Sequence, residues 1–225
     1  MLRSRVSPTL TLGNGTGQAV AGAIGAHALG RTRVRTTGRS ASASVAGMPS
    51  ARGHLDWSPA LSLPDLLAPP VVAAVDAVPG ALVAPIDPTL ADTAAFCAAY
   101  DVAMEASANC VVVAARRGEV TTYAAVMVLA THRADVNGVV RRHLGARKIS
   151  FAPMADAVGL TGMEFGGITP VGLPQGWPVL VDEAVVAASE VVVGSGVRRS
   201  KLLLAGADLL RLPGAQQLAL ASPVT

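Results

Sequence analysis

Aromatic residues are scarce in this chain: Phe, Tyr and Trp together make up 3% of it, against 51% for all hydrophobic types. A core must therefore be built from Val, Leu and Ala rather than from large rings. Lysine is rarer still, with Lys148 and Lys201 the only two among 225 residues, so nearly all positive charge is arginine. Cysteine occurs twice, at Cys97 and Cys110, with no C-x-x-C spacing and no histidine at ligand spacing. That argues against a disulfide framework and against a zinc site. Each thiol reads as a small buried hydrophobe in a reducing cytoplasm. The four histidines, His27, His54, His132 and His143, are scattered along the chain. A His-based triad is disfavoured, and neither a metal nor another cofactor is expected. No apolar run approaches the roughly 18 uninterrupted residues of a membrane helix. The best stretch, 70–86, is broken by Asp76, Pro79 and Gly80, so no membrane partner is expected.

The net charge of +3 misleads, because it is unevenly placed. Residues 1–55 hold seven Arg and no acid; the other 170 hold eleven Lys and Arg against all fifteen acids, leaving that part at −4. The body of the protein is mildly acidic, and whole-chain charge is a poor guide to partners.

Residues 1–47 show no trustworthy period of 2 or 3.6 and are rich in Gly, Ser, Thr, Ala and Arg. This fits a disordered basic tail, or translation that begins at Met48, better than a targeting peptide, since no apolar h-region follows the first charges. Gly13-Asn14-Gly15-Thr16-Gly17 has neither a preceding strand nor a following Lys-Ser/Thr, so it reads as a flexible loop rather than a phosphate loop. Residues 48–225 are expected to form a single domain.

In that domain, Ser58-Pro59 predicts a short helix through Leu67. Asp92 or Thr93 opens a second helix through Tyr100. The clearest hairpin joins Asn109–Ala115 to Val120–Ala130 across Arg116-Arg117-Gly118-Glu119. Asp135 predicts an N-cap for a helix stopped at Gly145; a short strand spans Lys148–Ala152, and Pro153 opens a helix that ends at Gly162. Strands are expected at Pro178–Val181, Glu190–Val193, Lys201–Leu204 and near Gln216–Leu220, with a helix over Ala207–Leu212. Strict strand–helix alternation is missing, which favours a mixed α+β sheet over a doubly wound one. Asp182-Glu183, at a strand end, reads as exposed.

The stretch Gly166-Gly167-Ile168-Thr169-Pro170-Val171-Gly172-Leu173-Pro174 resembles the Gly-Gly-Ile-Ser-Pro-x-Gly loop of the YbaK/prolyl-tRNA-synthetase-associated editing family. Leu144-Gly145-Ala146-Arg147-Lys148 resembles that family's Leu-Gly-x-Lys-Lys segment, and Pro178 to Glu183 its Pro-x-x-x-Asp-Glu strand. Val192-Val193-Gly194-Ser195-Gly196 is similar to its Val-x-x-Gly turn, and Ala207 to Leu212 to its closing helix. These segments keep their order from about residue 85 to residue 221. The resemblance implies a mixed, partly barrel-like central sheet with flanking helices. It implies a cytoplasmic, metal-independent deacylase that hydrolyses the ester of mischarged tRNA. The partner it implies is the aminoacylated 3′ end of a tRNA, with loose association with an aminoacyl-tRNA synthetase.

The residues support such chemistry. A Gly-Gly pair lets backbone approach a ligand closely and leaves N–H groups open to an acyl carbonyl or its oxyanion. Gly166, Gly167 and Asn109 are therefore the candidate catalytic residues. Ile168, Thr169, Pro170, Gly194, Ser195 and Gly196 are candidates for substrate binding. The family carries a Lys at the start of the first hairpin strand, whereas this chain has Ala108 or Asn109 there. Asn109 can hydrogen-bond a ribose hydroxyl but cannot neutralise a phosphate, a loss worth about 1.5–3 kcal/mol. Lys148, Arg198 and Lys201 are the candidate replacement anchors. The missing Lys also leaves open a second reading, a weakly catalytic module that binds tRNA acceptor ends or aminoacyl compounds.

Overall fold

Val-rich runs of four to ten residues become strands in the computed structural model, which describes residues 50–224. The readings made for residues 1–47 lie outside the described residues. In chain order the strands are β1 (Ser58–Pro59), β2 (Leu82–Pro85), β3 (Ala108–Arg117), β4 (Val120–Leu129), β5 (His132–Ala134) and β6 (Lys148–Phe151). They continue with β7 (Val179–Asp182), β8 (Val191–Gly194), β9 (Ser200–Leu204), β10 (Ala215–Leu218) and β11 (Ala221–Pro223). Short helices intervene: α1 (Pro69–Val72), α2 (Thr93–Tyr100), α3 (Arg141–His143), α4 (Met154–Thr161) and α5 (Glu183–Val186).

The strands form a five-stranded sheet ordered β10-β7-β4-β3-β6, a four-stranded sheet ordered β1-β2-β9-β8, and the pair β11-β5. In the larger sheet β10, β7 and β4 run parallel while β3 and β6 are antiparallel to their neighbours, so the sheet is mixed as expected. The sheets meet through the isolated bridge Ser107–Val192 and do not close into a barrel. Strand period sorts the core. Val179 and Val181 face the main cluster with Leu202 and Leu204, whereas Leu180 faces a second cluster with Val113 and Val126.

The helix expected over Ser58–Leu67 does not form. Ser58 and Pro59 pair with Val83 and Leu82, and two separate 3-10 turns follow, Ala60–Ser62 and Pro64–Leu66. Pro64 disfavours helical backbone in the residue before it, and Leu63 accordingly sits at φ −132°, ψ 60°. The strand expected near Gln216–Leu220 is divided between β10 and β11, and the closing helix is 3-10, Gly206–Arg211.

Asp182 also departs from expectation, being 1% exposed. Its Oδ1 accepts from Ala184 N–H at 3.1 Å, capping α5, while Oδ2 accepts from Leu220 and Ala221 N–H at 3.0 and 2.9 Å. One carboxylate thus ties the C-terminal segment to the sheet. Asp182→Asn places an NH2 group where a backbone donor already points, and it should lower unfolding free energy by about 1–2 kcal/mol. The urea midpoint reads this directly; an unchanged midpoint would show that the anchor contributes nothing.

Candidate active site

The register of one strand opens the site. β6 pairs with Val113–Arg116 of β3 and ends at Phe151 opposite Val113. Ala108 to Val111 therefore have no strand beside them on that flank, and a cavity of about 450 Å³ occupies the gap. Its far wall comes from α4 through Met154 and Ala157, from the Phe165–Ile168 loop, and from β8 and β9.

β9 places the cation. With period 2, Leu202 and Leu204 point into the main core, while Lys201 shares the opposite face with Leu203. Lys201 is 7% exposed, donates to Ala91 O at 2.9 Å, and holds its Nζ 5.1 Å from the centre of the Phe96 ring. Among the described residues it is the only Lys or Arg lining this cavity. Burial lowers its pKa below the ordinary 10.5, a shift partly offset by neighbouring Cys97 and Asp92.

The neighbouring polar groups are already partly engaged. Asn109 accepts from Thr93 Oγ1 at 2.7 Å through Oδ1, which leaves its NH2 group for a ligand. Asp92, the only acid in the lining among the described residues, caps α2 by accepting from Ala94 and Ala95 N–H at 3.1 and 3.4 Å. Among the described residues no histidine lines the cavity. Cys110 does, but burial pushes its thiol up to about 12, so it is protonated at neutral pH and is not poised as a nucleophile.

The glycine loop is held from behind. Arg198 donates to Phe165 O at 3.2 Å and to Pro88 O at 2.9 Å, while its own N–H donates to Glu164 Oε2 at 2.6 Å. Gly166, at φ +86°, is in the left-handed region, and its N–H has no protein acceptor among the described residues. Gly167 differs: its N–H donates to Glu164 O at 2.9 Å and its carbonyl accepts from Gly196 N–H at 2.7 Å.

The structure thus gathers five of the sequence candidates, Gly166, Ile168, Asn109, Gly194 and Lys201, around one cavity. Gly167, Thr169, Pro170, Ser195 and Gly196 are buried and do not line it. The Ser195 hydroxyl bonds Val197 O and Ser200, packing the 194–200 turn on itself. The Thr169 hydroxyl is buried without a partner among the described residues. Arg198 braces the loop, and Lys148 is exposed on β6 opposite Arg116, outside the lining. Sequence reasoning missed the rim. Phe151, Met154 and Phe165 all line the cavity while remaining 68%, 58% and 58% exposed. The available signal was that two of only three Phe lie within two residues of a Pro or Gly breaker, Phe151 before Pro153 and Phe165 before Gly166.

An open mixed fold with a glycine loop beside a largely apolar cavity, lined by one lysine and one aspartate, defines a small α+β pocket domain, and comparison with known proteins makes this specific. The chain belongs to the aminoacyl-tRNA editing domain family, whose model matches residues 87–212. It is therefore YbaK-like, and its family role is in tRNA editing. One similar solved structure is that of a proposed trans-editing enzyme for prolyl tRNA synthetase. It is 23% identical with a TM-score of 0.59, and the match covers 69% of this chain and 96% of that one. A protein from work on computational epitope backbone grafting is 22% identical with a TM-score of 0.59, covering 69% and 97%. Hypothetical protein APE2540 is 22% identical with a TM-score of 0.53, covering 61% and 86%. At these identities the likeness establishes a shared fold. No curated protein matches the chain. Among the described residues no helix is long and apolar enough to cross a membrane.

Proposed function

We propose that residues 48–225 form a trans-acting deacylase that hydrolyses the ester between a mischarged amino acid and the terminal ribose of a tRNA in the cytoplasm. One observation carries this reading: the Lys201 ammonium and the unpaired Gly166 N–H border the same largely apolar cavity. An aminoacyl side chain fits apolar walls, and an ester carbonyl that becomes an oxyanion needs donors in a dry setting. Among the described residues the lining offers no histidine and only a committed carboxylate, so the substrate's own ribose hydroxyl is the natural group to assist water. Water oxygen bonds to the carbonyl carbon, the carbon–ribose oxygen bond breaks, and the ribose oxygen takes the proton. Lys201, reaching in from β9, supplies a cation to this cavity, where β3 offers only Ala108 and Asn109 at its start, and its role here is toward the acyl oxyanion. The neighbour described as acting for prolyl tRNA synthetase supports a role beside a synthetase.

A panel of mischarged tRNAs tests this: the purified chain should release amino acid from at least one of them well above spontaneous hydrolysis. No release from any would end the deacylase reading. Capture without turnover is favoured by one observation, the commitment of Gly167 N–H to Glu164. It would show as tight binding of charged tRNA with no release.

A further inference from the structure

A second cavity, of about 800 Å³, lies alongside the first and shares Asn109, Val111 and Phe151 with it. Its character is different. Arg133 of β5, Asn137, Ser150 and Ser222 line it, and Arg133 makes no ion pair among the described residues. Asp135 also lines it; its carboxylate oxygens are turned to backbone N–H groups, accepting from Gly138 at 2.8 Å and Val139 at 3.1 Å, so it caps its own turn and forms no ion pair with Arg133. Between the two cavities stands Phe151, 68% exposed in a chain with three Phe. Phe151 shares the rim of the first cavity with Met154 and Phe165, both also exposed, so the three form an apolar patch at a cavity mouth rather than a lone surface ring.

We propose that the second cavity is the track for the single-stranded 3′ end of an RNA, with Phe151 stacking on a base and Arg133 meeting a phosphate. The proposal rests on the first cavity being the ester site, because the acyl group and its nucleotides must occupy adjoining spaces. Aromatic faces, an unpaired arginine and neutral hydroxyl or amide groups are the combination that grips splayed single-stranded RNA. The shared wall lets one continuous ligand cross from apolar walls, past Asn109, to polar ones.

Binding and cleavage should be measured separately on the full chain. The binding probe is an uncharged RNA hairpin with a short single-stranded 3′ end, followed by fluorescence anisotropy across salt concentrations. Phe151→Ala should weaken binding roughly 5- to 100-fold, and Phe151→Trp should keep it. Arg133→Gln should flatten the salt slope by about 0.7, one phosphate contact on a single strand. In cleavage, each variant's loss on charged tRNA should exceed its loss on aminoacyl-adenosine by about tenfold or more. RNA affinity unaltered in both variants overturns the track, even where esters are still cleaved. Affinity lost in the variants while no ester is ever cleaved upholds the track and overturns only the deacylase. Self-association that disappears in Phe151→Ala, with RNA affinity intact, assigns the rim to a second copy instead.

Discussion

Lys201→Met should lower kcat/KM for aminoacyl-ester cleavage by roughly 10²- to 10³-fold, the size expected when one preorganised donor to a developing oxyanion is removed. Methionine fills similar volume, so the Phe96 contact survives while the charge and the bond to Ala91 O are lost. The pH profile gives a second signature. Because burial lowers the Lys201 pKa, wild-type cleavage above background should fall on the alkaline side at a pH below 10.5, and this limb should vanish in Lys201→Met. Stability moves the other way. Between the lowered folded value and the unfolded value of about 10.5, the unfolded chain binds more protons than the folded one, so stability rises with pH. Below the folded value the desolvation penalty is constant. Urea midpoints across this window should rise for the wild type and stay flatter for Lys201→Met. A variant that cleaves as fast as the wild type would remove Lys201 from the chemistry.

Gly194→Ala should destabilise the fold by about 3 kcal/mol, near the upper end for overpacking. A Cβ at this position would lie 2.3 Å from Gly167 O and 2.6 Å from Ile168 O. Both are backbone atoms in a crossing held by Gly196 N–H to Gly167 O and by Glu164 N–H to Gly196 O at 2.8 Å. Neither strand nor loop can yield without moving the cavity wall, so activity should fall together with stability. Gly166→Ala is the contrast. Its Cβ would meet only the flexible Arg198 Nη1, at 2.5 Å, although φ +86° adds strain. About 1 kcal/mol is expected there, less than at Gly194. Thermal unfolding measures both, and a Gly194→Ala protein as stable as the wild type would mean that the crossing is looser than its geometry implies.

The stops and starts of elements were legible because they depend on neighbours in sequence. Asp92 caps α2, Asp135 caps the turn that begins at Val136, and Gly162 ends α4 at φ +67°, all through contacts within a few residues. The β3–β4 hairpin follows from a Val-rich run, a polar turn and a return run, with Gly118 at φ +63° in the turn. Ser58-Pro59 misled because it carried a helix signal, while its pairing with Leu82 and Val83 lies more than twenty residues away. Asp182 misled for the same reason, since two of its three donors come from Leu220 and Ala221.

The candidate site divides along the same line. Gly166 and Ile168 could be named from the local Gly-Gly-Ile-Thr-Pro run, because glycine adopts the positive φ of position 166 at least cost. That Gly167 is tied to Glu164, and that Lys201 rather than Lys148 reaches the cavity, could not. Which face of a strand a side chain occupies follows from period 2, but what lies opposite that face depends on sheet order and register. By itself the sequence determined the family, the mixed α+β class and the glycine loop, since each is encoded in short runs of residues. Only the tertiary structure decided where the cation stands and which groups remain free to bind. Those are properties of contacts between segments as far apart as Ala91 and Lys201, which no local pattern records.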